Sequence, residues 1–235
     1  MTFESGVADR VRVVKSYEAL SQLTAEQIAN LLKANPYGRL GLPTGNTPRR
    51  CYEILAEWSS QGRLNWSKAK CFALDDYLEV EERFSFQHYL ESNLYRFTDL
   101  PLDARFNPRQ VDNYDQLILD QGGLDFCLLG IGDNGHIAFN EPPTPQESWT
   151  HCVWLSEETK QANRKSFESD STVPTRAITM GISTLLSSRS LVLIASGKNK
   201  RKALHRALTG PPDKDLPASF LTTHPNLLVI ADFDW

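Results

Sequence analysis

Cysteine is scarce and unpaired in this sequence. Cys51, Cys71, Cys127 and Cys152 are widely spaced, with no Cys-x-x-Cys pair, so neither a zinc site nor a dithiol redox motif is present. Most lie in apolar runs and are read as buried, reduced thiols. Long hydrophobic runs are missing too. No stretch approaches membrane-spanning length, and the N-terminal MTFESGVADRVRVVKSYEAL lacks an apolar signal core. The expectation is a cytoplasmic protein with no membrane partner. Nor is there an excess of positive charge: 25 Lys and Arg against 29 Asp and Glu give a formal net charge of -4. That argues against a nucleic-acid partner and leaves room for a small anion held by a local cluster of lysines and amides. No internal repeat, low-complexity tract or domain-dividing linker occurs.

What remains is a chain of 235 residues, 40% hydrophobic, with five Trp and eleven Phe, enough to bury a sizeable core as one domain over residues 1–235. Short apolar runs alternate with amphipathic ones. RVRVV (10–14), GRLGLP, AKCFALDDYL, LDFCLLGIG, HCVWLS, RAITMG, SLVLIASG and NLLVIADF read as strands. Helices are predicted over Leu20–Leu32, from Thr47-Pro48 onward, around Phe86–Phe97, Tyr114–Leu119 and Lys160–Phe167, and in ISTLLSS and KNKRKALHRALTG. Thr47 is read as an N-cap with Pro48 at the first helical position. The alternation predicts a mostly parallel sheet with helices on both faces, a Rossmann-like α/β architecture. In such sheets ligands bind outside the carboxyl ends of the strands.

LLGIGDNGHIAFNEPPTP (128–145) places Gly130, Gly132 and Gly135 in the G-x-G-x-x-G spacing of a dinucleotide loop. Such a loop must pass directly into a helix that faces the pyrophosphate. Two prolines arrive within eight residues of Gly135, so that helix does not fit and no organic cofactor is expected. The stretch instead releases Asn134, His136 and Glu141 from a buried strand on a backbone that glycines let fold tightly. A histidine with a nearby carboxylate suits acid–base work near neutral pH. LGLPTGNTPRR offers a second strand end, where the Thr44, Gly45, Asn46 and Thr47 turn leaves backbone N–H groups free for an anion. ALDDYLEV places Asp75 and Asp76 past an apolar run, where adjacent side chains point opposite ways and only one can face a cleft; a solvated acidic loop is the alternative. In SGKNKRK, Lys198, Lys200, Arg201 and Lys202 enter a helix, and a lysine there can complete a phosphate site.

Together these stretches resemble the glucosamine-6-phosphate deaminase (isomerase) family. LGLPTGNTP, FALDDYL, GIGDNGHIAFNEP, TKQANRKSF, ITMGISTLL and SGKNKRKAL occur in family order over most of the chain. The resemblance implies aldose–ketose isomerisation joined to loss of ammonia: glucosamine 6-phosphate and water become fructose 6-phosphate and ammonium, without metal or organic cofactor. It implies His136 as the ring-opening acid–base, Asp75 as the carboxylate acting at C2 and C1, and Glu141 as the partner that tunes the histidine. Asn134 stands where many members carry aspartate. Thr44 to Thr47 and Lys200 would hold the phosphate. Lys165, beside Arg164, stands where an arginine often serves the same end.

His151 and Val153 replace basic residues associated with allosteric activation, so activation by N-acetylglucosamine 6-phosphate is not expected. The chain stops at Trp235 without the C-terminal extension of longer members, and a monomer or a homo-oligomer is expected. A 6-phosphogluconolactonase, a deaminase of another amino-sugar phosphate and a sugar-phosphate-sensing regulatory domain are the alternatives. The last would need a DNA-binding module for which the first forty residues leave no room.

Overall fold

The computed structural model describes residues 9–164, Phe167 and residues 172–235. Seven strands form one parallel sheet: β1 (Val11–Val13), β2 (Arg39–Leu42), β3 (Lys70–Ala73), β5 (Arg105–Phe106), β6 (Phe126–Gly130), β9 (Leu191–Ala195) and β10 (Leu227–Ala231). Their spatial order is β1-β10-β9-β6-β2-β3-β5. From β2 the chain builds outward through β3 to β5, and from β6 it builds the other way through β9 and β10. Strand order therefore reverses between β2 and β6, where open parallel sheets leave a crevice at their carboxyl ends. The four adjacent strands β9, β6, β2 and β3 end in SGKNK, GIGDNGH, PTGNT and LDD, so these four predicted site segments leave the sheet at the same edge.

The central strands read as unbroken apolar runs because both faces are covered. Cys127, Leu129, Leu191 and Leu193 belong to one buried cluster, whereas Phe126, Leu128, Val192 and Ile194 belong to another. On the second face lie α1 (Tyr17–Ala34) and α2 (Asn46–Ser60). Helix α1 begins where the Ser16 hydroxyl accepts from the Ala19 N–H at 3.2 Å, and it buries Leu20, Thr24, Ile28 and Leu32 at helical spacing. The first face is covered by α4 (Tyr114–Asp120), α6 (Ile182–Leu186) and α7 (Arg201–Thr209).

AKCFALDDYL is two strands, not one. After β3, the chain leaves the parallel sheet at Leu74 and forms β4 (Asp75–Tyr77) in a separate antiparallel sheet with β8 (Arg176–Thr179) and β7 (His151–Trp154), ordered β4-β8-β7. A small aromatic core supports this second sheet: Tyr77 lies 4.7 Å from Phe86 and 5.4 Å from Phe139 between ring centroids, and Phe86 stacks on Phe139 at 5.6 Å. Helix α3 (Phe86–Asn93) ends in a separate 3-10 turn over Tyr95–Phe97, and the helix predicted near Lys160 is α5 (Glu157–Asn163). Cys51, Cys71 and Cys127 are buried, and burial pushes the Cys127 thiol up to about 12. Cys152 is exposed, contrary to the sequence reading, because strand alternation on β7 turns it with Trp154 toward solvent. Among the described residues, no helix is long and apolar enough to cross a membrane.

Candidate active site

The loop after β6 is shaped by its glycines. Gly132 donates to the His136 carbonyl at 2.9 Å and Gly135 to the Gly132 carbonyl at 3.0 Å, which closes a tight turn. Gly135 has φ 88°, in the left-handed region. A Cβ at Gly132 would lie 2.2 Å from the His136 ring, so only glycine lets the imidazole fold over the turn. Beyond Gly135 the chain forms an Ile137–Asn140 bridge in place of the helix that a dinucleotide loop requires.

This turn fixes the hydrogen-bond polarity around His136. Asn134 Oδ1 accepts from the His136 backbone N–H at 3.1 Å and lies 2.7 Å from Nδ1. A backbone N–H can only donate, so the amide oxygen faces the histidine and the ring donates from Nδ1. Asn134 Nδ2 then donates to Glu141 Oε2 at 2.6 Å. The neutral ring keeps its lone pair on Nε2. Glu141 Oε1 lies 3.4 Å from Nδ1, and its other partner is the Thr159 hydroxyl from α5. The His136 imidazole titrates below its ordinary range. Burial disfavours the charged ring and Lys200 adds repulsion, while Glu141 and Asp133 oppose both.

Asp75 and Asp76 are both buried, so a solvated acidic loop is excluded. Asp76 is fully engaged: its carboxylate accepts from the N–H groups of Tyr77 and Phe86 at 2.8 Å each, from Gln87 N–H at 3.3 Å and from Asn107 Nδ2 at 2.7 Å. It thereby pins the start of α3 to β4. Asp75, 6% exposed, receives no hydrogen bond from the described residues. Burial holds its carboxyl well above the ordinary carboxylate range, and the charge of Asp76 adds to the shift. Asp75 pairs across the sheet with Thr179, whose hydroxyl accepts from the Phe139 N–H at 3.1 Å. Asn140 donates to the Ile137 carbonyl at 3.0 Å and the Met180 carbonyl at 2.8 Å. These bonds tie the strand of Asp75 to the loop of His136.

The phosphate-binding expectation divides. At the end of β2, α2 begins at Asn46 with Gly45, at φ 104°, as its cap; Thr47 is inside the helix and Pro48 follows it. The N-cap thus falls earlier than predicted, because a left-handed residue ends the turn and glycine supplies it. The N–H groups of Gly45, Asn46 and Thr47 make no hydrogen bond with described residues, so the turn leaves donors free of the kind an anion can use, beside half-buried Thr44. Lys200 is brought beside His136: its ammonium lies 2.7 Å from Asp133 Oδ1, which also accepts from Asn199 Nδ2 at 2.9 Å. The Lys200 hydrogen bond holds the Asp133 carboxyl below its usual range. Lys165 lies outside the described residues, and Arg164 follows α5. Sequence reasoning missed Asp133 and Thr159. Both stand inside quoted motifs, but their partners lie in other segments.

The fold and this site define a class: an α/β protein with a histidine–carboxylate cluster and a turn of free backbone N–H groups around one topological switch point. The family model for glucosamine-6-phosphate isomerases and 6-phosphogluconolactonases matches residues 14–229, and the chain belongs to that family. It is 39% identical to a glucosamine-6-phosphate deaminase of Shouchella clausii, with 93% of each chain covered. It is 41% identical to one of Bacillus pumilus, covering 92% of this chain and 93% of that one. A solved structure described as a monomeric glucosamine-6-phosphate deaminase superimposes with a TM-score of 0.90 at 37% identity, covering 94% of this chain and 96% of that one. A 6-phosphogluconolactonase from Trypanosoma cruzi shares the fold, with a TM-score of 0.77 at 19% identity and 98% and 95% of the two chains covered.

Proposed function

We propose that this protein is a glucosamine-6-phosphate deaminase, converting glucosamine 6-phosphate and water into fructose 6-phosphate and ammonium. The observation that carries the reading is the pairing of two unlike groups on tied segments. Asp75 is a buried carboxyl without a hydrogen-bond partner among the described residues, and His136 is an imidazole whose hydrogen bonds to them leave Nε2 free.

In this reading His136 Nε2 takes the proton of the C1 hydroxyl and delivers it to the ring oxygen, opening the sugar. Asp75 removes the proton from C2, giving an enolamine, and returns a proton to C1. The resulting C2 imine is hydrolysed by water to the ketone, and the nitrogen leaves as ammonium. A carboxyl raised above its ordinary range is a stronger base once ionised, which suits abstraction next to a carbonyl near neutral pH. Glu141 and Asn134 hold the ring and its tautomer. The phosphate rests on Thr44, Gly45, Asn46 and Thr47, where helix N–H groups and the dipole favour an anion. Lys200, with Lys165, supplies the positive charge. The enzyme acts as one domain in the cytoplasm, as a monomer or homo-oligomer.

A coupled assay for ammonia and fructose 6-phosphate tests this. Turnover is expected with glucosamine 6-phosphate and not with 6-phosphogluconolactone. Preference for galactosamine 6-phosphate would change the substrate, and lactonase activity without ammonia release would overturn the reading.

A further inference from the structure

Glu141 has two carboxylate oxygens and both are held, but only one of the groups holding them belongs to its own loop. Oε2 accepts from Asn134, whereas Oε1 accepts from the hydroxyl of Thr159 on α5. Oε1 is also the oxygen 3.4 Å from His136 Nδ1. The direction of the Thr159 bond is set by its own neighbour. Ser156, the N-cap of α5, accepts from the Thr159 N–H at 3.2 Å and lies 3.2 Å from Thr159 Oγ1 with its hydroxyl as donor. Thr159 Oγ1 therefore accepts from Ser156 and gives its one proton to Glu141, which can only accept. Thr159 is 7% exposed, so water is a poor substitute for that donor.

We propose that Thr159 is a positioning residue for the acid–base pair, acting through Glu141. Its hydroxyl keeps Oε1 from swinging onto His136 Nδ1, so that the ring proton stays on the neutral amide of Asn134 and Nε2 stays available as a base. Without the hydroxyl, Oε1 has no donor among the described residues other than Nδ1, and a short rotation of the carboxylate brings them into a direct hydrogen-bonded ion pair. Such a pair favours the charged ring. The other charged groups facing His136 are Asp133 from its own loop and Lys200 from the segment after β9. Their mutual ion pair is untouched by a change on α5.

The kinetic part of this proposal rests on the deaminase reading, whereas the titration part does not. The experiment follows the His136 ring by NMR pH titration of substrate-free protein, assigned by the resonance lost in His136→Gln. Thr159→Val keeps the shape and removes the hydroxyl. It should raise the His136 pKa by about half a unit or more, an ordinary size for a gained carboxylate hydrogen bond. Thr159→Ser should restore the wild-type titration. With glucosamine 6-phosphate, Thr159→Val should lower kcat about tenfold while leaving KM nearly unchanged, the pattern of a lost transition-state interaction. Unshifted His136 titration in Thr159→Val, even with lower thermal stability, would make the hydroxyl merely structural and overturn the proposal. Failure of Thr159→Ser to restore the titration would overturn it as well. A shifted ring in a protein that releases no ammonia would uphold the Thr159 link and sink the deaminase reading instead.

Discussion

Asp75 and Asp125 lie beyond opposite ends of the parallel sheet, Asp75 where the chain crosses into the antiparallel one, at 6% and 5% exposure, and they titrate in opposite directions. Asp125 precedes β6 at the amino end. Its carboxylate accepts from Arg39 Nε and Nη2 at 2.8 Å each, from the Arg39 N–H at 3.0 Å and from Arg189 Nη1 at 2.9 Å. Burial pushes its carboxyl up, but the bonds and charge of Arg39, then Arg189, outweigh it and hold the group below the usual range. Asp75 lies just past the carboxyl end of β3 and has burial without any of that compensation. Two aspartates of similar exposure thus differ: one is stapled by two arginines, and the other is left without a side-chain partner among the described residues. At Asp75 burial acts unopposed, whereas at Asp125 the bonds and charge of two arginines outweigh it.

The pH consequences follow with opposite sign. Asp75, raised in the folded protein, contributes stability that is present below its unfolded pKa and lost as pH rises through its folded value. Asp125, lowered, contributes stability that is present above its unfolded pKa and lost as pH falls through its folded value.

The largest expected effect falls on chemistry. Asp75→Asn should lower turnover about 100-fold or more, the scale of a general base. Thermal stability at neutral pH should be kept or raised, because the unpartnered charge is gone. Near-normal turnover would erase the contrast between the two aspartates. Removing the staple should do the reverse. Asp125→Ala should cost about 3–5 kcal/mol of stability by leaving Arg39 uncompensated, measured by denaturant unfolding, with turnover per folded molecule unchanged. A drop in turnover at full folding would mean that the amino end of the sheet reaches the site.

The smallest effect separates binding from structure within the reactive end. Lys200→Ala should weaken affinity for the phosphorylated sugar by roughly 1.5–3 kcal/mol, the worth of a charged hydrogen bond. Its effect on unphosphorylated glucosamine should be slight. Equal losses for both would assign Lys200 to holding Asp133 and not to the phosphate.

Much of this was readable beforehand. Buried parallel strands are apolar runs that end abruptly, so LDFCLLGIG and LGLPTGNTP marked their own carboxyl ends, and the motifs placed Asp75, His136 and Glu141. The sheet change at Leu74 left no trace, because an apolar residue suits either sheet. The role of Asp76 depended on Phe86, Gln87 and Asn107, which its neighbours in sequence do not announce. Lys200 reads in its basic run as a phosphate ligand, and only the folded chain sets Asp133 against it. Thr159 lay just outside the helix predicted over Lys160–Phe167, and only the folded chain sets it on the Glu141 carboxylate. Local pattern carried the elements, and long-range pairing decided which polar groups were left unpaired.

The most direct test of the central claim, that Asp75 is the base because its buried carboxyl has no hydrogen-bond partner among the described residues, is hydrogen exchange during turnover in D2O. Wild-type protein should place solvent deuterium at C1 of fructose 6-phosphate, visible by NMR. Asp75→Asn should give neither that label nor exchange at C2 of the remaining glucosamine 6-phosphate, while still binding it. Exchange at the wild-type rate in Asp75→Asn would place the base elsewhere and contradict the account.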